Sequence, residues 1–457
     1  MTSLKKYILA AVLGLLALAA FALPWYSSHT LDAELKAFAE GARQGDLVVN
    51  KLTHEAGLFK SKGSIEFQLR DSCAANTTQE PSSFSVEYVV SHLPSTHGVM
   101  QFEWSVLPQG NTAAEIEKVI GPGKKLSGTG ALGYGGLVKA EMDVPELRFN
   151  HDGVAFQVTP SKGSFSADKT AAQFVWNLQR FVARGNGDAF DVKDLSLNMD
   201  LKDRKLGTGT IVLDIGGVST ASVSMEGLQV RSETTESKDR LDSKVSESIR
   251  VLNVMGQSLK DLALEASVTG LHTPSVRTLL EIGQATCGFS NMTADESQKV
   301  RKAVETMLTS GMAIGIPTLK GSSEGGQVSA NMVLELLPSG DGTIALEKHL
   351  RSSGQLSITG TLLNQGQIDM ALATGFATKA PDGLKASYSY QDGLLKVSDK
   401  TLDGGMVKTA LAQADRQING FLHPQKTPVA SPVEEMLEES APAAAPAAAA
   451  PAAAPAQ

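Results

Sequence analysis

The sequence predicts a β-rich α+β fold with long antiparallel amphipathic sheet, a few packed helices, one N-terminal transmembrane helix and a disordered C-terminal tail. Three observations carry this prediction. From residue 47 onward, apolar and polar residues alternate with period two, which is typical of strands with one packed face and one wet face. Turn signals such as Asp152-Gly153 and Asp392-Gly393 separate many of these runs. An apolar stretch precedes this body and an Ala/Pro-rich segment follows it.

The apolar stretch runs from Tyr7 to Tyr26, reads YILAAVLGLLALAAFALPWY and contains no charged residue. As a helix it would cover roughly 30 Å, which matches one hydrocarbon core. Lys5 and Lys6 precede it, and they would stay on the cytoplasmic side. Trp25 and Tyr26 would lie at the far interface. The stretch therefore predicts a single N-in, C-out span over 7–26, with 1–6 as a cytoplasmic stub.

A cleaved secretory signal is the alternative interpretation of the same stretch. Ala20-Phe21-Ala22 matches an A-x-A-like cleavage site, behind leucines that would serve as the apolar core of a signal. The apolar run continues past this site into Leu23, which favours a retained anchor. Both interpretations send the rest of the chain across a membrane.

The body is predicted to extend over 27–425 and to begin with a helix over Leu31–Ala42, where apolar residues fall at helical spacing. Further helices are predicted over Pro274–Thr286, from the capping box Thr293–Glu296 to near Gly311, over Met406–Leu422 and near Leu363–Phe376. The strand signal is found in runs that include Ile65–Leu69, Phe84–Tyr88, Met100–Val106, Leu137–Val144, Val154–Val158, Leu195–Leu201, Ile211–Ile215, Leu262–Val268, Val328–Leu336 and Leu395–Val397.

Two segments interrupt this pattern. Ser232–Arg250 is polar and charged, so it predicts an exposed strand margin or a loop that could include a short helix, and 231–275 is the place where two sub-domains would divide. Residues 426–457 end in APAAAPAAAAPAAAPAQ, which cannot bury enough apolar area to offset the entropy of ordering. This tail is predicted to be disordered.

Composition excludes some functions and leaves others open. The net charge is −8 and no Lys/Arg-rich run occurs, so nucleic acid is not expected as a partner. The chain has two cysteines, Cys73 and Cys287. In an oxidising compartment they would form one disulfide; the alternative is two free, buried thiols.

No motif in the sequence predicts catalysis or a cofactor. Gly128–Gly133 matches G-x-G-x-x-G, but the residues that follow it predict a strand, whereas dinucleotide binding needs a helix N-terminus there. His92 and His97 are close enough to share a metal, although two solvated loop histidines are the simpler interpretation. The acids between Asp188 and Asp203 fit no calcium-loop spacing. We therefore expect no catalytic, cofactor-binding or metal residues.

Several stretches in order along the chain resemble the YdgA-like family of bacterial envelope proteins, whose function is unknown. The resemblance implies an inner-membrane-anchored periplasmic protein and supplies no active site. The chain departs from the family pattern at Leu93, where the family has glycine, and at Ser398-Asp399, where it has Asn-Gly. The stretches are the Lys-Lys anchor start, Glu55–Ser61, Val86–Pro94, Leu195–Leu201 and Ser387–Val397.

The expected function is that of a non-catalytic binding or scaffold protein of the cell envelope. Long amphipathic strands could present an apolar concave face to a lipid or to another envelope protein. The alternative is an envelope hydrolase with an unrecognised site, for instance around His92, His97 and His151.

Overall fold

A computed structural model describes most of the chain between residues 24 and 424. The described residues are 24, 26–40, 47–69, 83–96, 98–109, 113–121, 123–151, 153–185, 187–286, 288–340, 344–402 and 405–424. The predicted span and tail lie almost wholly outside them. Within the described residues, no helix combines the length and apolar character needed to cross a membrane.

The described residues form 22 strands in one antiparallel sheet, together with seven helices. The strands are β1 Leu47–Glu55, β2 Lys60–Leu69, β3 Ser83–Ser91, β4 Met100–Pro108, β5 Leu126–Leu132, β6 Val138–Val144, β7 Leu147–His151, β8 Val154–Val158, β9 Ser161–Ala167, β10 Ala172–Gly185, β11 Asp188–Asp203, β12 Thr208–Ser219, β13 Val223–Ser237, β14 Arg240–Val254, β15 Gln257–His272, β16 Met312–Ser323, β17 Gly326–Leu336, β18 Leu350–Gly360, β19 Thr378–Ala380, β20 Gly383–Gln391, β21 Leu394–Val397 and β22 Lys400–Leu402. The helices are α1 26–40, α2 Ala113–Ile120, α3 Thr273–Ala285, α4 Ala294–Thr309, α5 Leu346–His349, α6 Gln365–Thr374 and α7 Gly405–Leu422.

The strands pair almost entirely in chain order, each antiparallel to the one before it. One exception is the β7–β8 hairpin, which lies beside the end of β10, while β9 pairs with both β6 and the start of β10. The other is β19, which lies with β21 along the same side of β20. The pairing describes a long open meander, as the alternating sequence pattern predicts.

The helices confirm most of the expectations from sequence. Thr293 caps α4 through a complete capping box with Glu296. Helices α3, α6 and α7 lie where spacing and caps predict them, and α1 begins earlier than predicted. The polar segment Ser232–Arg250 is a correction, because it belongs to β13 and β14, which pair along their whole length. Strands β13, β14 and β15 pair with one another up to His272, so the sheet continues through most of 231–275.

A row of irregular positions crosses six neighbouring strands in the middle of the sheet. The pairings skip one residue in each of the strands from β10 to β15 at the same level. Two of the skipped residues, Asp194 and Asp261, have φ of 53° and 52°. The register is the same on both sides of this row, because the two strands of each pair skip one residue together. The skipped residues are Gln179, Asp194, Gly216, Gly227, Arg250 and Asp261.

Candidate functional site: an uncovered apolar sheet face

The candidate site is one complete face of the sheet, which we call the apolar face. Residues directly opposite each other on paired strands lie on the same side of a sheet. Tracing these partners from β2 to β20 gives an unbroken line of residues, the central row. Its members are Gly63, Tyr88, Trp104, Gly128, Met142, Gly163, Trp176, Leu197, Leu213, Val230, Glu247, Leu264, Leu319, Ala330, Leu356 and Ala386.

The rows on either side of the central row are also largely apolar. On one side, Phe174, Met199 and Ile211 are consecutive partners. On the other side, Leu178 pairs with Leu195, and the line continues into β12 and β13. The opposite face is polar along the same strands, as Ser196 and Asn198 show on β11. The sequence alternation therefore resolves into two chemically distinct faces.

Glycines in the first half of the central row let large side chains lie flat against the sheet. A Cβ atom added at Gly128 would lie 2.8 Å from the Trp104 ring. One added at Gly163 would lie 2.8 Å from Met142 Cε and 3.5 Å from Trp176 Cδ1. In this part of the row, the large side chains therefore lie over the glycines of neighbouring strands. This packing also explains two glycines of the Gly128–Gly133 motif: Gly128 and Gly130 lie in β5 against Trp104 and Phe102, and β6 follows the motif where a dinucleotide site would need a helix.

Much of the apolar face has no cover from the described residues. Gly128 is the one buried member of the central row, and every member with a side chain beyond Cα is partly or fully exposed. Leu319 and Leu356 of this row keep exposed fractions of 44% and 39%. Other large apolar side chains of the same face are also exposed: Phe165, Ile211, Val245, Ile314, Met332 and Leu334.

Helices cover the apolar face only locally. Leu35 and Ala39 of α1 pack on a cluster of Val49, Ile65 and Phe67 in β1 and β2. Helices α3 and α4 contact the end of β15. Cavities of about 800 and 650 Å³ lie on the first half of the sheet, and most of their lining side chains, such as Glu103 and Thr129, belong to the polar face. The apolar face is therefore an open surface and not an enclosed pocket.

The first end of the sheet contains a buried polar cluster centred on His92. Its ring is fully buried, with Nε2 2.7 Å from Ser61 Oγ and Nδ1 3.1 Å from Ser27 Oγ. Ser27 lies in α1 and donates to the Pro24 carbonyl, whereas Ser61 lies in β2 and accepts from the Gly57 N–H. The cluster therefore ties α1 to the sheet.

The hydrogen bonds fix the tautomer of His92. Because the Ser27 hydroxyl proton goes to a carbonyl, Ser27 Oγ must accept from Nδ1–H, which leaves Nε2 to accept from Ser61. Burial lowers the pKa of His92, since the charged ring would lose its hydration. His92 was expected to be a solvated loop residue, and this expectation is wrong because two serines satisfy its ring nitrogens inside the fold.

The other candidate residues do not converge on a site. The Ser61–His92 pair resembles a nucleophile and its base, but both residues are buried and closed to a substrate. Asp191 is held by the Arg180 guanidinium at 2.8 Å, which lowers the pKa of the carboxyl, and Asp203 pairs with Arg277. Among the described residues, no group of three or more His, Cys, Asp or Glu could hold a metal ion.

The remaining predicted residues fall mostly outside the description. Lys5, Lys6, Trp25, Cys73 and Cys287 are outside it, as are His97 and the side chain of His151. The interface position and the disulfide therefore stay predictions. Tyr26 is described, at the start of α1, with an exposed fraction of 66%.

Comparison with known families supplies the remaining finding. A profile described as "Bacterial protein of unknown function (DUF945)" matches residues 4–363, which is well over half of the chain. The chain belongs to the DUF945 family. The bacterial family of unknown function expected from the motifs is confirmed at this level, and the narrower YdgA-like assignment stays a prediction. No curated protein and no solved structure matches the chain.

The DUF945 match covers the central row from Gly63 to Leu356 and ends shortly after β18. It also includes the apolar stretch 7–26. The motif Ser387–Val397, in β20 and β21, lies beyond the matched residues. Most of the apolar face is therefore part of the family domain.

Proposed function

We propose that this DUF945 protein is a non-catalytic lipid-binding protein of the bacterial cell envelope, whose apolar face holds acyl chains. We further propose that 7–26 anchors it in the inner membrane, with the body in the periplasm. The observation that carries the proposal is the central row, which remains uncovered across most of a 22-stranded sheet. The burial of His92 and Ser61 supports a non-catalytic role.

The size of the apolar face argues for a bound partner. At about 4.8 Å per strand, the central row from β2 to β20 is roughly 70 Å long, and with the rows beside it the face offers roughly 1,000 Å². Monomeric soluble proteins rarely leave an apolar patch of more than about 300–600 Å² open to water. A surface of this size is expected to be covered in the working protein.

The chemistry of the face favours acyl chains as the cover. Backbone donors and acceptors inside the sheet are already used in strand pairing, so the face itself offers mainly apolar contact. A long, narrow strip of this kind suits a long, narrow ligand that needs no hydrogen bonds. A protein partner would have to present an equally long apolar strip of its own.

Lipid binding is tested with two substitutions on neighbouring residues of β11. Leu197→Asp puts a carboxylate in the central row, whereas Asn198→Asp puts the same charge on the polar face of the same strand. The protein is purified in mild detergent, and bound lipid is measured by native mass spectrometry. We expect lipid on the unsubstituted chain and on Asn198→Asp, and a loss of about half of the bound lipid on Leu197→Asp, because the row is interrupted near its middle. Absence of lipid from all three would refute the proposal and leave a protein partner as the cover.

The anchor is tested separately by fusing a periplasm-dependent reporter after Ala42. We expect activity that sediments with the inner membrane. A soluble, shortened product would show that the stretch is a cleaved signal, and a cytoplasmic reporter would contradict both interpretations.

A further inference from the structure

We propose that the central row is a path along which acyl chains move from the β2 end to the β20 end, so that the protein transfers lipid and does not merely store it. The inference rests on the proposed lipid binding. It deepens that function by assigning a direction and a route. The observations that carry it are the length, the continuity and the openness of the row.

The length of the row exceeds what one acyl chain can cover. Half of a hydrocarbon core of about 30 Å is about 15 Å, which is the depth that one acyl chain spans in a bilayer. A row of roughly 70 Å would therefore hold four or five such chains end to end. A storage site for one lipid would need only a few strands.

The row also lacks the features that would stop a chain at one position. Storage sites are concave and fix their ligand with a few convergent polar groups. Here the side chains from Trp176 to Val230 are apolar and directly paired, and Leu264 to Leu356 continue in the same manner. A chain that lies on such a surface meets similar contacts at each successive strand, so displacement by one strand costs little.

Glu247 is the one charged member of the central row, between Val230 and Leu264. It is exposed, so its carboxylate can turn toward water while its methylene groups stay on the apolar face. Glu247 therefore offers an acyl chain less apolar surface than its neighbours do, but it does not stop the chain from passing.

The two ends of the row give the direction. The β2 end lies close in the chain to 7–26, the predicted membrane anchor, and α1 packs on the apolar face there. The β20 end is far along the chain and sheet from that anchor. Lipid supplied by the inner membrane would therefore enter at β2 and travel toward β20.

The path is tested in cells by site-specific photocrosslinking at both ends. A photoreactive phenylalanine analogue is placed at Trp104 in one version and at Leu356 in another, and crosslinked lipid is identified by mass spectrometry. Leu213→Asp is then added as a block between the two positions, because the short Asp side chain cannot turn its carboxylate away from the apolar face as the longer Glu247 side chain can. Val212→Asp is the matched control, because it adds the same charge to the polar face one residue away.

If lipid moves along the row from β2 to β20, the block should lower crosslinking on its β20 side and leave crosslinking on its β2 side unchanged. With Leu213→Asp, crosslinking at Leu356 should fall at least fivefold while crosslinking at Trp104 is retained, and Val212→Asp should change neither. Retained crosslinking at Trp104 also shows that the blocked chain is folded. If the blocked chain does not fold, Ala330→Asp provides a second block nearer the far end, with Ser329→Asp as its polar-face control.

Two other outcomes separate the path from lipid binding itself. Equal crosslinking at Leu356 with and without the block would show that each part of the face loads independently, which overturns the path and leaves lipid binding intact. Absence of crosslinked lipid at both positions of the unblocked chain would refute lipid binding as well.

Discussion

Ser61→Ala tests whether the buried cluster around His92 fastens α1 over the first end of the apolar face. The substitution removes the hydroxyl that donates to His92 Nε2 at 2.7 Å and accepts from the Gly57 N–H at 3.2 Å. The histidine is fully buried, so water cannot replace the lost donor without opening the cluster.

The size of the effect follows from the unsatisfied acceptor. Leaving a buried polar atom without a partner costs about 1–3 kcal/mol, and a middle value of about 2 kcal/mol corresponds to roughly 30-fold in a local opening equilibrium. The penalty should fall on the contact between α1 and the sheet, because Ser27 of α1 holds the other side of the same ring. Strands beyond β6 should be unaffected, because they share no partner with the cluster.

Hydrogen exchange measured by mass spectrometry reports how often the contact between α1 and the sheet opens, peptide by peptide. Peptides from α1 and the His92 amide, which donates to the Phe59 carbonyl, should exchange about 30-fold faster in Ser61→Ala. Ser164→Ala, an exposed serine on the polar face of β9, is the control and should change exchange by less than about threefold. Equal exchange in the two variants would refute the idea that this cluster holds α1.

Three further predictions concern the same sheet and its helices. Burial lowers the pKa of His92 from 6.5, so its contribution to stability is full above pH 6.5 and is lost as the pH falls below that value. Hydrogen exchange of α1, measured over a series of pH values, should show this loss. His92→Gln should make the loss smaller, and the part that remains would come from His54, whose pKa is also lowered by burial. Gly128→Val should lower the urea midpoint by the equivalent of about 1–3 kcal/mol, because its Cβ would clash with the carbonyl oxygen of Glu141 on the paired strand. Gly135→Ala, with open space around it, should leave the midpoint unchanged. Thr293→Ala should destabilise α4 by about 1 kcal/mol through loss of the capping box, seen as faster exchange confined to the first turns of that helix.

The fold class was predictable because the sheet leaves one face in water. Alternation is clearest where one side of a strand is apolar and the other polar, as in Leu195–Leu201, and these runs are strands in the structure. The helix α4 was predictable from Thr293 and Glu296, whose reciprocal hydrogen bonds form within four residues. The strands and the start of α4 both depend on residues that are close together in the chain, so both could be predicted from the local sequence.

The features that could not be predicted depend on distant partners. Ser232 and Thr234 lie on the apolar face of β13, so this part of the chain shows little alternation although it is paired throughout. The row of irregular positions crosses six strands, and only the pairing shows that Asp194 and Gly216 lie at the same level. The central row itself is set by register, which connects residues tens of positions apart.

His92 shows the same limit at the level of one side chain. Its partners Ser27 and Ser61 are 65 and 31 residues away, and nothing in the local sequence SHLPSTHG indicates burial. In sequence, a histidine near a second histidine suggested a metal or a wet loop. In the structure the His92 ring is buried and links α1 to the sheet through its two hydrogen bonds. The residue that the sequence offered as a metal ligand therefore has a structural role.

The link between His92 and α1 lies at the end of the sheet where the central row begins. Helix α1 follows directly on the predicted anchor and packs on the apolar face at β1 and β2, where the central row begins. Phe38 of α1 is 48% exposed, and its ring meets the ring of Phe67 edge-on, with the centroids 6.4 Å apart. A helix attached by a small apolar contact and one buried hydrogen-bonded ring can detach at a cost of a few hydrogen bonds. Under the proposed lipid transfer, α1 therefore covers the end of the row where lipid enters, and a limited set of contacts holds it there.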